Sequence, residues 1–311
     1  MLVEPTVRDL SRNWRRAWAW RTSARLRIWS VSVFSALALL GCTGPVQRAE
    51  QLARRGRLEF LVVSGEGFQH RGFAALRGHD LLVLFIDGDG SPWVDHGRRV
   101  AADPTPRVPL GLELAVRTPE SVLYLGRPCY FGLIRDGCTE KVWTSERYSA
   151  AVVASMVAAT KTYVAAHNFQ RVLIVGYSGG GTLAVLMASQ LSASAPMNSP
   201  AGHDMPHVVG VVTIAGNLDP DAWIRLHDYL PLTGSLNPAL APLLPKSLRE
   251  WHLIGERDTN VPYSAAQEYL HRVAPDRIWR YASFDHACCW VREWPAAFAR
   301  IRAELDDGKV N

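Results

Sequence analysis

The stretch RVLIVGYSGG, residues 171–180, constrains the fold of this chain more than any other. Its four consecutive aliphatic residues predict a buried strand, and the glycines that follow predict a tight turn. Residues 179–192 are rich in alanine and leucine and predict a helix directly after the turn. A fully apolar strand followed at once by a helix is typical of an α/β protein whose mostly parallel sheet is covered by helices on both faces.

The turn carries one serine between the glycines. Gly176-Tyr177-Ser178-Gly179-Gly180 fits the pattern G-x-S-x-G, in which a strained strand-to-helix turn exposes a serine hydroxyl. Glycine and serine also form ordinary turns, and the pattern alone is weak because both residues are common. The strand before it and the helix after it favour a nucleophilic role for Ser178.

A serine hydroxyl becomes a good nucleophile only when a base takes its proton, so a histidine is needed nearby. His286 follows the last predicted strand, at the sheet edge where the strands end. His203 and His207 lie between a helix and a strand, at the opposite edge, and His271 lies in a predicted helix. His286 is therefore the candidate base.

The base in turn needs a carboxylate that fixes its tautomer. The predicted strand 251–254 ends in Gly-Glu-Arg-Asp, which offers Glu256 and Asp258. Asp285 is a poor candidate because adjacent side chains rarely meet head-on. The residues alone leave Glu256 and Asp258 open.

The chain order Ser178, Asp258, His286 resembles that of the α/β-hydrolase superfamily, and the resemblance covers the chain from about residue 57 onward. Segments such as GDGSPW are similar to those of bacterial secreted or lipoprotein hydrolases. The resemblance implies an α/β-hydrolase fold for residues 57–311. It also selects Asp258, which stands where the family pattern G-x-x-D-x-x-V-P has its acid.

A tetrahedral intermediate needs two backbone donors for its oxyanion. The resemblance implies that one is the N–H of Gly179, at the start of a helix, and that the other comes from the loop after strand 81–86. In that loop Asp89 and Gly90 are the main candidates, with Ser91 also open. The family often has His-Gly here, whereas this chain has Asp-Gly-Asp-Gly, and we expect its two carboxylates to point away or to make structural hydrogen bonds.

The N-terminus predicts a targeting segment. A basic stretch precedes an uncharged apolar run, which is typical of a secretory signal peptide, with an uncleaved anchor helix as the alternative. The run ends in Leu-Leu-Gly-Cys and resembles a lipobox, which implies that residues 1–41 are removed and Cys42 is lipidated. Because residue 43 is Thr and not Asp, the same resemblance implies the outer membrane of a bacterial cell envelope, facing the periplasm. Residues 42–56 are polar and basic and predict a tether.

The net charge of +5 comes from the first 41 residues, which hold seven arginines and two acidic residues. The remaining chain is balanced and has no bulk electrostatic reason to bind nucleic acid. No metal-ligand spacing is present, and GYSGGG lacks the lysine of a phosphate-binding loop. We therefore expect neither a metal nor a cofactor.

Two further features concern the mature domain. Cys129 and Cys138 flank a short glycine-containing stretch and predict a disulfide in an oxidising compartment, whereas the state of Cys288 and Cys289 stays open. The proline-rich segment 218–249 follows a central strand, which is where a cap over an active site usually lies, although a surface loop is the alternative.

Together these features predict a serine hydrolase that cleaves a small-molecule or lipid ester through an acyl-enzyme. A peptidase or an acyltransferase would use the same three residues, so both alternatives stay open. A non-catalytic envelope lipoprotein is the third alternative.

Overall fold

The structure is a computed structural model that describes residues 44–193 and 207–307. The signal peptide predicted for residues 1–41 and the lipidation predicted at Cys42 lie outside the described residues and stay predictions. None of the described helices combines enough length with enough hydropathy to cross a bilayer.

Strands and helices alternate along most of the described chain. The strands are β1 (Glu59–Ser64), β2 (Gln69–Ala75), β3 (Leu82–Ile86), β4 (Trp93–Val94), β5 (Arg99–Val100), β6 (Ser121–Leu125), β7 (Arg171–Tyr177), β8 (His207–Ile214), β9 (Arg249–Gly255) and β10 (Ile278–Tyr281). The helices are α1 (Pro45–Arg55), α2 (Leu110–Val116), α3 (Glu140–Trp143), α4 (Ala150–His167), α5 (Gly179–Ala193), α6 (Pro220–His227), α7 (Tyr263–Leu270) and α8 (Trp290–Asp307).

Eight strands form one sheet in the order β1-β2-β6-β3-β7-β8-β9-β10. Strands β1 and β2 pair antiparallel, and every pairing from β6 to β10 is parallel. Helices α4 and α5 contact each other and the sheet, while α2 contacts α1, α8 and β3. Strands β3 and β6 are buried along their whole length because helices cover both faces. The predicted α/β architecture with a mostly parallel sheet is confirmed.

The tether predicted for residues 42–56 is wrong for residues 45–55, which form α1 and pack against α2. Ala49 and Ala53 are buried because residues four apart share one face of a helix. Pro45 suits the first turn of a helix, and Arg54 and Arg55 suit the last. The basic composition of this segment concealed its narrow apolar face.

Segment 218–249 contains α6 and a short 3-10 turn. Asp219 caps α6 by accepting a hydrogen bond from the N–H of Ala222 at 3.1 Å. Trp223 Nε1 and His227 Nε2 both donate to the carbonyl oxygen of Asn260, at 2.9 and 2.7 Å. The segment is thereby fastened to the loop that follows β9.

The structure joins Cys129 and Cys138 through their sulfur atoms, with 5.7 Å between the Cα atoms. Cys288 and Cys289, which the sequence left open, are also joined. The first pair closes a loop between β6 and α3, and Tyr130, next to Cys129, donates to the carbonyl of Asp89 at 2.8 Å.

The buried side chain of His70, on β2, should make the stability of the fold depend on pH. Its ring nitrogens hydrogen-bond the carbonyl of Gly126 at 2.9 Å and the hydroxyl of Ser155 at 2.8 Å. Burial lowers the pKa of His70 to about 4, although the bond to Gly126 opposes the shift. The unfolded chain therefore binds the proton more tightly, and stability present above pH 6.5 is lost as the pH falls toward 4.

Relative to His70→Gln, the wild type is expected to lose about 3 kcal/mol of unfolding free energy between pH 7 and pH 4, measured by urea unfolding. The difference between the two proteins is the measure, because Asp87, whose pKa burial raises to about 6, gains stability over the same range. Replacing the exposed His207 by Gln should leave the wild-type pH dependence unchanged. The same pH dependence in His70→Gln and in the wild type would contradict the assignment.

Candidate active site

Ser178 occupies the sharp turn between β7 and α5. Its φ of 53° lies in the left-handed region, which is strained for a residue with a side chain. The Ser178 N–H donates to the carbonyl of Ile214 at 2.9 Å, and its own carbonyl accepts from the N–H groups of Gly181 and Asn217 at 2.9 and 3.0 Å. These three bonds to neighbouring elements hold the strained turn in place.

The two glycines of the G-x-S-x-G pattern are required by close backbone contacts. A Cβ atom on Gly176 would overlap the carbonyl of Gly180, and a Cβ on Gly180 would overlap the carbonyl of Ile86 at the end of β3. Only glycine therefore allows α5 to start this close to the sheet.

The side chain of His286 links Ser178 to Asp258. His286 Nε2 lies 3.0 Å from Ser178 Oγ, and His286 Nδ1 lies 2.8 Å from Asp258 Oδ2. The other carboxylate oxygen of Asp258 accepts from the N–H groups of Asn260 and Val261, at 2.9 and 2.8 Å. Asp258 is only 4% exposed, so this carboxylate is held in one orientation against the imidazole.

The structure thus brings together the three residues that the sequence singled out. Glu256, the reserve acid, is exposed, and His207 opens β8 at the far end of the sheet. His271 lies just after α7, and His203 lies outside the described residues.

Tyr177, the variable residue before Ser178, also contacts the candidate base. Its hydroxyl donates to the carbonyl of His286 at 3.1 Å, and the two rings lie 5.2 Å apart. Burial raises the pKa of Tyr177 well above its ordinary value, and the nearby carboxylates of Asp87 and Asp258 add to the shift. A neutral tyrosine therefore packs against the ring of His286 and bonds its backbone carbonyl. No sequence signal indicates this contact, because the G-x-S-x-G pattern allows any residue at position 177.

The loop after β3 lies against the elbow, since a Cβ on Gly88 would be 3.2 Å from Cβ of Ser178. The N–H of Ser91 is already engaged with the carbonyl of Pro104 at 2.8 Å. Within the described part of the chain, the N–H groups of Asp89, Gly90 and Gly179 have no hydrogen-bond partner. Asp89 and Gly90 therefore remain the candidates for the second donor beside Gly179.

Asp87 points away from the site. Its carboxylate accepts from the N–H groups of Gly88 and Gly111, at 3.0 and 3.2 Å, and from the hydroxyl of Tyr124 at 3.2 Å. Burial raises the pKa of Asp87 to about 6, although these bonds oppose the shift. This carboxylate fastens the start of the loop to α2.

Asp89 is held by two arginines and a tyrosine. Its Oδ1 accepts from Arg127 at 2.6 Å, its Oδ2 accepts from Arg147 at 2.7 Å, and the hydroxyl of Tyr148 donates to both oxygens at 2.7 and 2.8 Å. Burial alone would raise the pKa of Asp89, but the charges of Arg147 and Arg127 outweigh it and hold the pKa far below its usual range. Sequence reasoning missed these partners, which lie 38 to 59 residues away along the chain.

Ser178 and His286 open onto a cavity of about 970 Å³. Segment 218–249 lines one side with aromatic and aliphatic residues, and the β4–β5 hairpin contributes to the wall as well. Examples are Trp93, His96, Trp223, Tyr229 and Leu230. Polar and charged side chains, among them Arg107, Arg147 and Asp228, line the rest, so the cavity combines an apolar side with a polar one. No cluster of metal-ligating side chains occurs among residues 44–193 and 207–307.

No protein-family model matches this chain, and no curated protein does. Solved structures do resemble it. The esterase PF2001 of Pyrococcus furiosus has a TM-score of 0.51 at 15% identity, with 81% of this chain and 92% of that chain covered. A protein of Agrobacterium vitis that is provisionally named a hydrolase has a TM-score of 0.51 at 14% identity, covering 80% and 99%. The complex EstE5-PMSF has a TM-score of 0.50 at 14% identity, covering 86% and 93%. At these identities the similarity shows the fold, and the α/β-hydrolase fold predicted from the sequence is confirmed.

Proposed function

We propose that this protein is a serine hydrolase that cleaves carboxylic esters through an acyl-enzyme on Ser178. The observation that carries the proposal is the hydrogen-bonded chain from Ser178 through His286 to Asp258, with contacts of 3.0 and 2.8 Å. A nucleophile, a base and an orienting carboxylate in this geometry are the groups that serine hydrolases use for acyl transfer.

The tautomer follows from the hydrogen bonds. Asp258 can only accept, so Nδ1 of His286 carries the proton, and Nε2 is free to accept the proton of Ser178. When Oγ attacks an ester carbonyl, the proton moves to Nε2 and then to the leaving alcohol. Water repeats the sequence on the acyl-enzyme and releases the acid, while Asp258 stabilises the imidazolium at each step.

The oxyanion of the tetrahedral intermediate forms next to two backbone N–H donors, one on the elbow and one on the loop after β3. The Gly179 N–H lies at the start of α5, where the helix dipole favours negative charge. The N–H of Asp89 or Gly90 supplies the second bond. Each such donor contributes about 2.7–4 kcal/mol to transition-state stabilisation.

Two observations support an ester as the substrate. One side of the cavity beside Ser178 is lined by aromatic and aliphatic side chains, such as Trp223 and Leu230, which suit an apolar acyl or alcohol group. The Pyrococcus furiosus protein with the same fold is an esterase. A peptidase or an acyltransferase would form the same acyl-enzyme, and a non-catalytic lipoprotein would form none.

The proposal is tested by comparing p-nitrophenyl butyrate and octanoate with the p-nitroanilides of the same acids. We expect turnover of the esters and no measurable turnover of the anilides, with Ser178→Ala as the inactive control. Addition of a primary alcohol as a second acceptor measures transfer against hydrolysis by product analysis. Anilide turnover equal to ester turnover would contradict an esterase, and so would an acyl product found mainly on the added alcohol.

A further inference from the structure

A cluster of buried charges lies directly behind the loop that is proposed to bind the oxyanion. Besides their bonds to Asp89, the two arginines are fixed by backbone carbonyls. Arg127 Nη2 donates to the carbonyl of Arg147 at 2.7 Å, and Arg147 Nε donates to that of Thr144 at 2.7 Å. The hydroxyl of Tyr130 donates to the carbonyl of Asp89 at 2.8 Å, so the backbone of the loop is held as well as its side chain.

The cluster carries a surplus positive charge. The side chains of Arg127 and Arg147 are 3% and 6% exposed, and that of Asp89 is 17% exposed. Arginine stays protonated even when buried, and the two guanidinium groups keep Asp89 ionised. Among these three side chains, two positive charges and one negative charge leave a net charge of +1 with little solvent screening. The Asp87 carboxylate at the start of the same loop is outside this group and is bonded to Gly111 and Tyr124.

The Asp89 end of the cluster lies against the elbow, with the two arginines behind it. A Cβ atom on Gly179 would overlap Asp89 Oδ1 and the hydroxyl of Tyr148. The G-x-S-x-G pattern allows any residue at this position, so the cluster explains why this chain has glycine there. Arg147 and Asp89 also line the cavity onto which Ser178 opens.

We propose that Asp89, Arg127 and Arg147 form a positioning cluster that holds the oxyanion loop against α5 and supplies a fixed positive potential at the oxyanion. The inference rests on the proposed function. It gives a role to the two-aspartate loop, which departs from the His-Gly loop usual in the superfamily. The Asp89 carboxylate anchors the loop, and the two guanidinium groups together more than compensate its charge.

The cluster should act on the transition state rather than on substrate binding. An ester is neutral, whereas the tetrahedral species carries a full negative charge, so a fixed +1 charge favours only the latter. The expected signature is a change in kcat with little change in KM.

Two variants separate a role of charge from a role of structure. Arg147→Gln brings the cluster to zero net charge, while Asp89→Asn combined with Arg147→Gln removes one charge of each sign and returns it to +1. Arg171→Gln is the matched control, because Arg171 also pairs with an aspartate, Asp80, at 3.1 Å but at the opposite end of β7.

We expect Arg147→Gln to lower kcat for p-nitrophenyl butyrate by about 10- to 100-fold at nearly constant KM, and to weaken binding of a trifluoromethyl ketone analogue by the same factor. The double variant should have a higher kcat than Arg147→Gln, because it restores the surplus positive charge while the amide oxygen introduced at position 89 can still accept from Arg127 and Tyr148 and so keeps the loop anchored. Arg171→Gln should match the wild type, and thermal melts establish that each variant is folded.

The inference would be overturned if the double variant had a lower kcat than Arg147→Gln. It would also be overturned if Arg147→Gln weakened substrate binding, measured by KM, as much as it weakened binding of the trifluoromethyl ketone. If Arg147→Gln alone does not fold, the kcat of the double variant is compared with that of the wild type. A loss above 100-fold in the double variant would then contradict the proposed role of the charge. A wild-type protein without esterase activity would instead refute the proposed function, so the two failures are distinguishable.

Discussion

Replacement of Ser178 by alanine is expected to lower kcat for ester hydrolysis by about 10⁶-fold. The change removes one oxygen atom, the nucleophile, and leaves the base without a proton to take. The backbone bonds that hold the turn do not involve Oγ, so the fold should survive. Only the rate enhancement that comes from the oxyanion donors and from substrate binding should remain.

The measurement is steady-state turnover of p-nitrophenyl butyrate, with circular dichroism and a thermal melt to establish folding. Ser64→Ala, at an exposed serine on β1, is the matched control and should retain wild-type kcat. Turnover by folded Ser178→Ala within tenfold of the wild type would mean that another residue is the nucleophile.

Asp258→Asn is expected to lower kcat by about 10⁴-fold. An asparagine can present an N–H to His286 and can stabilise the wrong tautomer, in which Nε2 carries the proton and cannot accept that of Ser178. The same substitution weakens the acceptor for the N–H groups of Asn260 and Val261, so part of the loss reflects a less well-ordered loop.

Glu256→Gln is the matched control for this prediction, because Glu256 lies two residues earlier in the same loop and is exposed. It should leave kcat within about twofold of the wild type, as surface substitutions usually do. A large loss in Glu256→Gln together with a small loss in Asp258→Asn would assign the carboxylate role to the other residue.

The elbow and the sheet were predictable from sequence because their signals are local. Apolar runs such as Val172–Val175 indicate buried strands, and the glycines beside Ser178 indicate a turn that excludes side chains. His286 and Asp258 were found from their positions after predicted strands, since parallel strands present their ends at one edge of the sheet.

The surroundings of the oxyanion loop were predictable only in outline. The sequence indicated that the aspartates would make structural bonds, but the partners of Asp89 come from the segment after β6 and from the approach to α4. Only the folded sheet brings these segments together, and no periodic pattern relates them. Helix α1 was missed for a different reason: its buried face consists of small alanines among basic residues, and it becomes stable by packing on α2.

The central claim is that Ser178 becomes covalently acylated. It is tested most directly by intact-mass spectrometry and peptide mapping after treatment of the purified protein with a fluorophosphonate. The account predicts one adduct per chain, located on Ser178, lost in Ser178→Ala and formed much more slowly in His286→Ala, because the base must take the serine proton. An adduct on a different residue, or full labelling of Ser178→Ala, would contradict it.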